Sequence, residues 1–336
     1  MINSIHSLLP RRQIWDSVKG HDIQKDLFQM QQIHGIGLKI GAIALFTVMF
    51  AMVKALSDTI PAGQAVFFRS AFAIPVLFAW LLMQGELAGA VSVKSKRAHV
   101  WRGFVGTAAM GLNFTAAGLL PLPEITAIGF TTPLLIVVFA SLLLGERVGV
   151  YRISAVLIGL IGVLIIVEPR LSFGELDPSQ DSTMLGVFLA ITAAACAALA
   201  QIQIRNMVQL ERTSAIIFYF CITASVFSLS TIGTWVWPNM VQFLTLVFIG
   251  FLGGVGQIML TTAYRCAPAS VIAPFDYTAM IFALGIGYFA FAELPSAQMI
   301  FGAGIVIAAG VFVILREARL GLRRGKARRA KPPPAL

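Results

Sequence analysis

Three ionisable side chains stand in surroundings that are otherwise apolar: Asp276, Arg69 and Lys54 each fall inside, or at the edge of, a long hydrophobic run. A charge at the centre of a bilayer costs roughly 2.5–3.5 kcal/mol on the insertion scale, so such groups face a cavity or a partner. Asp276 lies deep in its run, where a carboxylate can pair with a cationic solute or take up a coupling proton. Arg69 can touch a solute, form a structural ion pair or snorkel. Lys54, near a run's outer end, can reach the interface by snorkelling. Tyr277, Gln257, Asn113 and Tyr264 are polar groups able to line the same cavity, as are Thr115 and Gln201. Phe72, with Phe68 and Trp80, can stack on a planar ligand. Glu146 and Glu293 fall at run ends, where capping or pairing with basic neighbours is the expected role.

Other chemistries lack their residues. An enzyme site at a membrane surface needs clustered His, Asp, Ser or Cys. His6, His21 and His34 lie near the N-terminus and His99 at the edge of a run, with no carboxylate motif beside them. Cys196, Cys221 and Cys266 are widely spaced and apolar in context, which suits packing rather than a disulfide framework. No phosphate-binding Gly-x-x-x-x-Gly-Lys-Ser/Thr loop occurs, so the chain does not drive its work with its own ATPase. No metal, cofactor or enzymatic activity is expected. A channel would want a polar stripe or a ring of charge, and neither is evident.

The elements that hold these residues follow from composition. Of 336 residues, 58% are hydrophobic and 12% charged. A soluble domain carries roughly 25% charged residues; a bilayer, needing about 20 apolar residues per helical crossing, accommodates the excess. Ten such runs are read at 36–56, 62–83, 99–119, 124–145, 149–168, 184–204, 214–236, 243–264, 269–291 and 297–315. Backbone groups in lipid must pair internally, so the runs are helices. An all-α polytopic membrane protein is expected. Its parts are a cytoplasmic N-terminal extension (1–35), a first five-helix repeat (36–168), an extracytoplasmic loop (169–183), a second repeat (184–315) and a basic, disordered cytoplasmic tail (316–336).

The net charge of +10 does not indicate nucleic acid here. With both termini inside, nearly all of the 25 basic residues, Lys39 and Arg102 counted among them, fall on the cytoplasmic side. That asymmetry fits an even number of spans.

A shift of 147 residues lays the second half on the first without a gap. Gly103 meets Gly250, Gly106 meets Gly253, Pro121 meets Pro268, Thr131 meets Thr278 and Glu146 meets Glu293. An odd number of spans per copy places the two copies in opposite orientation. Inverted repeats recur in secondary transporters, where exchanging the conformations of two similar halves exchanges outward and inward access.

The pattern resembles the drug/metabolite transporter superfamily, and within it the EamA-like transporters. The matching stretches are Glu124-Ile-Thr-Ala-Ile-Gly-Phe-Thr-Thr-Pro-Leu, Leu144-Gly145-Glu146, Gly159-Leu-Ile-Gly162 and Glu168-Pro169, with Pro268 to Pro274 and Ala292-Glu293 in the second copy. Lys54 and Arg69 stand where many members carry basic residues in the first two helices. The likeness covers residues 36–316; the chain departs in its polar N-terminal extension and in Ala292, where the second copy often has Gly. The resemblance implies ten helices around a central cavity that moves a small organic solute across the cytoplasmic membrane. Members are associated with solutes such as amino acids, riboflavin and S-adenosylmethionine, in either direction. The expected partners are a small-molecule substrate and the lipid bilayer, with proton coupling and a homodimer left open and no nucleic acid. The rival readings are a channel or a non-transporting structural or regulatory membrane protein.

Overall fold

A computed structural model describes residues 11–85, 90–144, 150–168, 178–207, 210–267 and 269–329. Glu146, Pro268 and most of the loop 169–183 lie outside them. The described residues are nearly all helical and contain no strand. The helices are α1 (Arg11–Leu56), α2 (Ala62–Ala71), α3 (Ala73–Gln84), α4 (Lys96–Ala117), α5 (Leu122–Gly129), α6 (Thr132–Leu144) and α7 (Val150–Val167). The second half supplies α8 (Pro178–Met207), α9 (Thr213–Ser228), α10 (Met240–Cys266), α11 (Ala269–Ile272), α12 (Thr278–Phe291) and α13 (Ala297–Arg329).

Ten spans result, because α2 with α3, α5 with α6, and α11 with α12 each form one interrupted crossing. Seven spans are long and apolar enough to cross a bilayer by length and composition, and Ile153–Val167 and Ala297–Phe312 are shorter apolar helices. The tenth is α4, whose first half carries Lys96, Arg97, His99 and Arg102 and so reads as less apolar. Large side chains such as Leu82, Phe188 and Phe289 point outward, exposed as a lipid-facing surface requires.

The interruptions have local causes. A proline removes an N–H and clashes with the carbonyl four residues earlier. Pro75 therefore ends α2 at Ala71, Pro133 ends α5 at Gly129, and Pro274 replaces regular helix by a 3-10 turn over Ala273–Tyr277. Other boundaries carry caps. Ser95 accepts a bond from the Ala98 N–H at the start of α4, and Asn239 and Gln242 form a reciprocal capping box at the start of α10.

Packing repeats the symmetry read in the sequence. Helix α1 lies on α10 as α4 lies on α8; α10 packs on α2 and α3 as α4 packs on α9; α7 pairs with α13. Each of these contacts, except the last, is the image of its companion under the repeat, and the last is its own image. Glycines permit the close ones. A Cβ at Gly103 or Gly106 would strike Thr223 or Phe220 of α9, and one at Gly250 or Gly253 would strike Phe72 or Arg69. Gly162 and Gly302 bring α7 and α13 into backbone contact, each Cβ falling within 2.8 Å of the other's carbonyl.

The terminal helices run longer than the apolar runs. Helix α1 continues unbroken from Arg11 through the expected start of the first span at residue 36. The basic tail is not irregular from Arg316: α13 continues to Arg329. Ala, Leu, Arg and Lys are good helix formers and no proline intervenes before Pro332, so nothing stops propagation earlier.

Candidate functional site

The ionisable groups expected in the membrane are not solitary. They fall into two ion pairs along one seam and one cluster with no counter-ion among the described residues.

The seam joins α1 to the ninth span. Near its start, Lys39 Nζ meets Asp276 Oδ1 at 2.6 Å, with the Lys39 side chain 3% exposed and Asp276 40%. The Tyr264 ring lies 5.1 Å from the same ammonium. At the other end Lys54 Nζ meets Glu293 Oε1 at 3.0 Å. Lys54 also donates to the carbonyls of Ala117, at 3.2 Å, and Leu120, at 2.6 Å. Glu293 Oε2 accepts from the Leu122 N–H at 2.8 Å. Lys54 therefore turns into the protein rather than snorkelling outward, and Glu293 takes the pairing role its position suggested. Ala292 sits in the left-handed region at φ 54°, directly before Glu293. That conformation suits glycine, the residue expected there from the resemblance.

The repeat copies meet at equivalent positions of their interrupted spans. Phe130 follows α5 and Tyr277 ends the 3-10 turn; they are repeat equivalents, and their rings pack edge to face at 5.0 Å. The Tyr277 hydroxyl is buried without a hydrogen-bond partner. The interrupted fourth and ninth spans thus bring their breaks to one place.

Arg69 and Arg102 form the third group. Arg69 is buried on α2 and its Nη2 donates to Gln257 Oε1 of α10 at 3.5 Å. Arg102 is buried on α4. Both approach the ring of Phe220 on α9, Arg102 at 3.9 Å and Arg69 at 5.4 Å from its centroid. Nε and Nη1 of each guanidinium lack a hydrogen-bond partner. No carboxylate among the described residues forms an ion pair with either.

The structure thus gathers Asp276 with Tyr264, and Arg69 with Gln257. Phe72 stacks on Phe68 at 5.6 Å, and both meet Phe243 edge-on. Trp80 lines a different feature, an apolar cleft of about 690 Å³ between α1, α3 and α10. Asn113 is half-buried on α4, and Thr115 and Gln201 are exposed. Two decisive residues were misplaced by sequence reasoning. Lys39 and Arg102, counted as cytoplasmic flanks, are both buried inside the bundle. His99 is buried too, 3.7 Å from Glu211, whose carboxylate also accepts from the N–H groups of Lys94 and Ser95. That contact ties the turn between α8 and α9 to the start of α4.

A family model for EamA-like transporters matches residues 33–168 and again 184–316. The chain belongs to the EamA-like transporter family. The double match coincides with the two five-helix copies, and the protein is a multi-pass membrane protein. Among its relatives is the pseudopaline exporter CntI of Pseudomonas aeruginosa, 30% identical over 281 residues, covering 82% of this chain and 94% of the exporter. An S-adenosylmethionine uptake transporter of Rickettsia prowazekii is 24% identical over 291 residues, 85% of this chain and 94% of that protein. A solved crystal structure at 20% identity superposes with a TM-score of 0.61 over 85% of this chain and 98% of the other, a likeness of fold. EamA-like relatives thus carry names for both export and uptake of small molecules.

Proposed function

We propose that this EamA-like protein is a secondary active transporter that moves a small organic metabolite across the cytoplasmic membrane by alternating access, with both termini cytoplasmic. One observation carries the reading: two inverted copies bring equivalent helix breaks, at Phe130 and Tyr277, into contact with each other. Discontinuous helices at a repeat interface are where secondary transporters bind their solutes. The named relatives support a small-molecule cargo.

The seam supplies the gates. Lys39–Asp276 closes the cytoplasmic end and Lys54–Glu293 the outer end, and opening to one side separates one pair while the other holds. Asp276 is the more exposed partner of its pair, open to protonation from the aqueous side. Neutralising Asp276 removes the attraction to Lys39, so the cytoplasmic gate loosens whenever the carboxylate is protonated.

The test compares metabolites inside and outside cells by mass spectrometry. Cells overproducing the protein, cells lacking it, and cells with Arg69→Ala or Asp276→Ala are compared. One compound shifting across the membrane with the intact protein, and not with the variants, is expected. Asp276→Asn should keep some transport but lose its pH dependence. Full transport with an unchanged pH profile would end the coupling role, and no shifting compound in any strain would end the transport reading.

A further inference from the structure

We infer that Arg69 and Arg102, with Phe220 between them and Gln257 beside them, bind an organic anion through its carboxylate groups. The inference rests on the transport reading and names its substrate class.

The starting point is charge. Guanidinium groups stay protonated in proteins, so burial cannot be relieved by losing a proton. Both arginines are buried, and both keep Nε and Nη1 without hydrogen-bond partners. Four of the described carboxylates are engaged elsewhere: Asp276 with Lys39, Glu293 with Lys54, Glu211 with His99, and Glu168 with Gln298. The face of Phe220 attracts both cations, but one ring shared by two like charges offsets little of their desolvation.

The fold does not require these charges. Under the 147-residue shift, Arg69 corresponds to Ile216 and Arg102 to Ile249, both buried in the same packing positions of the other copy. An isoleucine suffices at each place, so the cations serve something other than architecture. Their planar forks match a carboxylate with two parallel hydrogen bonds. Phe220 offers an apolar face to a carbon skeleton, and the Gln257 amide can read a polar substituent. A Cβ added at Gly253 would strike Arg69 and come close to Met49, so the glycine gives the guanidinium stem its room.

The experiment measures thermal stability of the purified full-length protein in detergent. The probes are citrate, succinate and glutamate, their methyl esters, inorganic phosphate and choline. At least one carboxylate should raise the melting temperature of the unmodified protein, and its methyl ester should not. Arg69→Gln and Arg102→Gln should each weaken that apparent affinity at least tenfold, while Arg265→Gln, at the exposed end of α10, should not. Without ligand, Arg102→Met should melt no lower than the unmodified protein, because it removes an uncompensated buried charge. Stabilisation by phosphate alone, by choline or by the esters would overturn the inference. So would an absence of any carboxylate response, or an Arg102→Met variant that melts well below the parent while the carboxylates remain silent. Proteoliposome flux separates the two readings. Arginine-dependent carboxylate binding without flux leaves the site standing and removes the transport reading. Flux of a neutral or cationic metabolite that carboxylates do not inhibit does the reverse.

Discussion

Ala292 shows how one residue records a local compromise. It ends α12 at φ 54°, where an L side chain costs about 1–2 kcal/mol and glycine nothing. The turn nevertheless aims Glu293 at both Lys54 and the Leu122 N–H. Ala292→Gly should therefore raise thermal stability by about 1 kcal/mol, part of the relief being lost to glycine's larger unfolded-state entropy. A melting curve checks this, and a lower melting temperature would show that Ala292 packs in a way its backbone angle conceals. At this scale the sequence was informative about where charge lay in the membrane and silent about partners. Asp276, Arg69 and Lys54 announced themselves by sitting in apolar runs. Lys39 and Arg102 did not, because each lies near a run's end, where a flanking basic residue looks the same whether it turns toward water or inward. Phe220 carried no signal among 25 phenylalanines.

The elements were legible where they were long and apolar, and less so where they broke. Ten spans and their order follow from the runs, and prolines at 75, 133 and 274 mark the interruptions. What periodicity could not reveal is that Lys54 and Glu293 bind four elements together, α1, α4, α5 and the end of α12. Lys54 holds two carbonyls at the end of α4, and Glu293 holds the first N–H of α5. Each partner thus satisfies backbone groups of fixed polarity as well as the other's charge. The double reversal Lys54→Glu with Glu293→Lys should accordingly fail to restore what either single reversal removes. A glutamate cannot donate to the Ala117 and Leu120 carbonyls, and a lysine cannot accept from Leu122. The cost expected for either single change lies between the ~1 kcal/mol of an exposed pair and the ~3–5 kcal/mol of a buried one, since both side chains are about 15% exposed. Melting temperature and cellular transport of the single and double variants test this; rescue by the double reversal would mean that charge alone matters there.

Across the whole molecule, the two copies are joined where α7 and α13 cross at Gly162 and Gly302. A Cβ on Gly302 would lie 2.7 Å from the Gly162 carbonyl, and backbone cannot yield as a flexible side chain does. Gly302→Ala should lower stability by about 1–3 kcal/mol, the usual cost of overpacking, whereas Gly304→Ala, whose added methyl meets nothing within 4 Å, should be tolerated. Equal melting temperatures for the two variants would show that the crossing can widen freely. The repeat that makes this crossing self-symmetric was readable from shared Gly, Pro and Thr in one register. The tertiary pairing was not, because five apolar helices can be packed in many orders with the same sequence period.

Helix α1 is a single uninterrupted rod, and its seam partner is jointed at Ala273–Tyr277. Lys39 and Lys54 therefore ride on one stiff lever, about 22 Å apart at the helical rise of 1.5 Å per residue, while Asp276 and Glu293 sit on segments able to bend relative to the rest of their span. Any change in the spacing of the two contacts must be absorbed by the jointed side. Spectroscopic labels placed at the two lysine ends of α1 would report one unchanging length through a full cycle, and all of the compliance would be measured across the 3-10 turn.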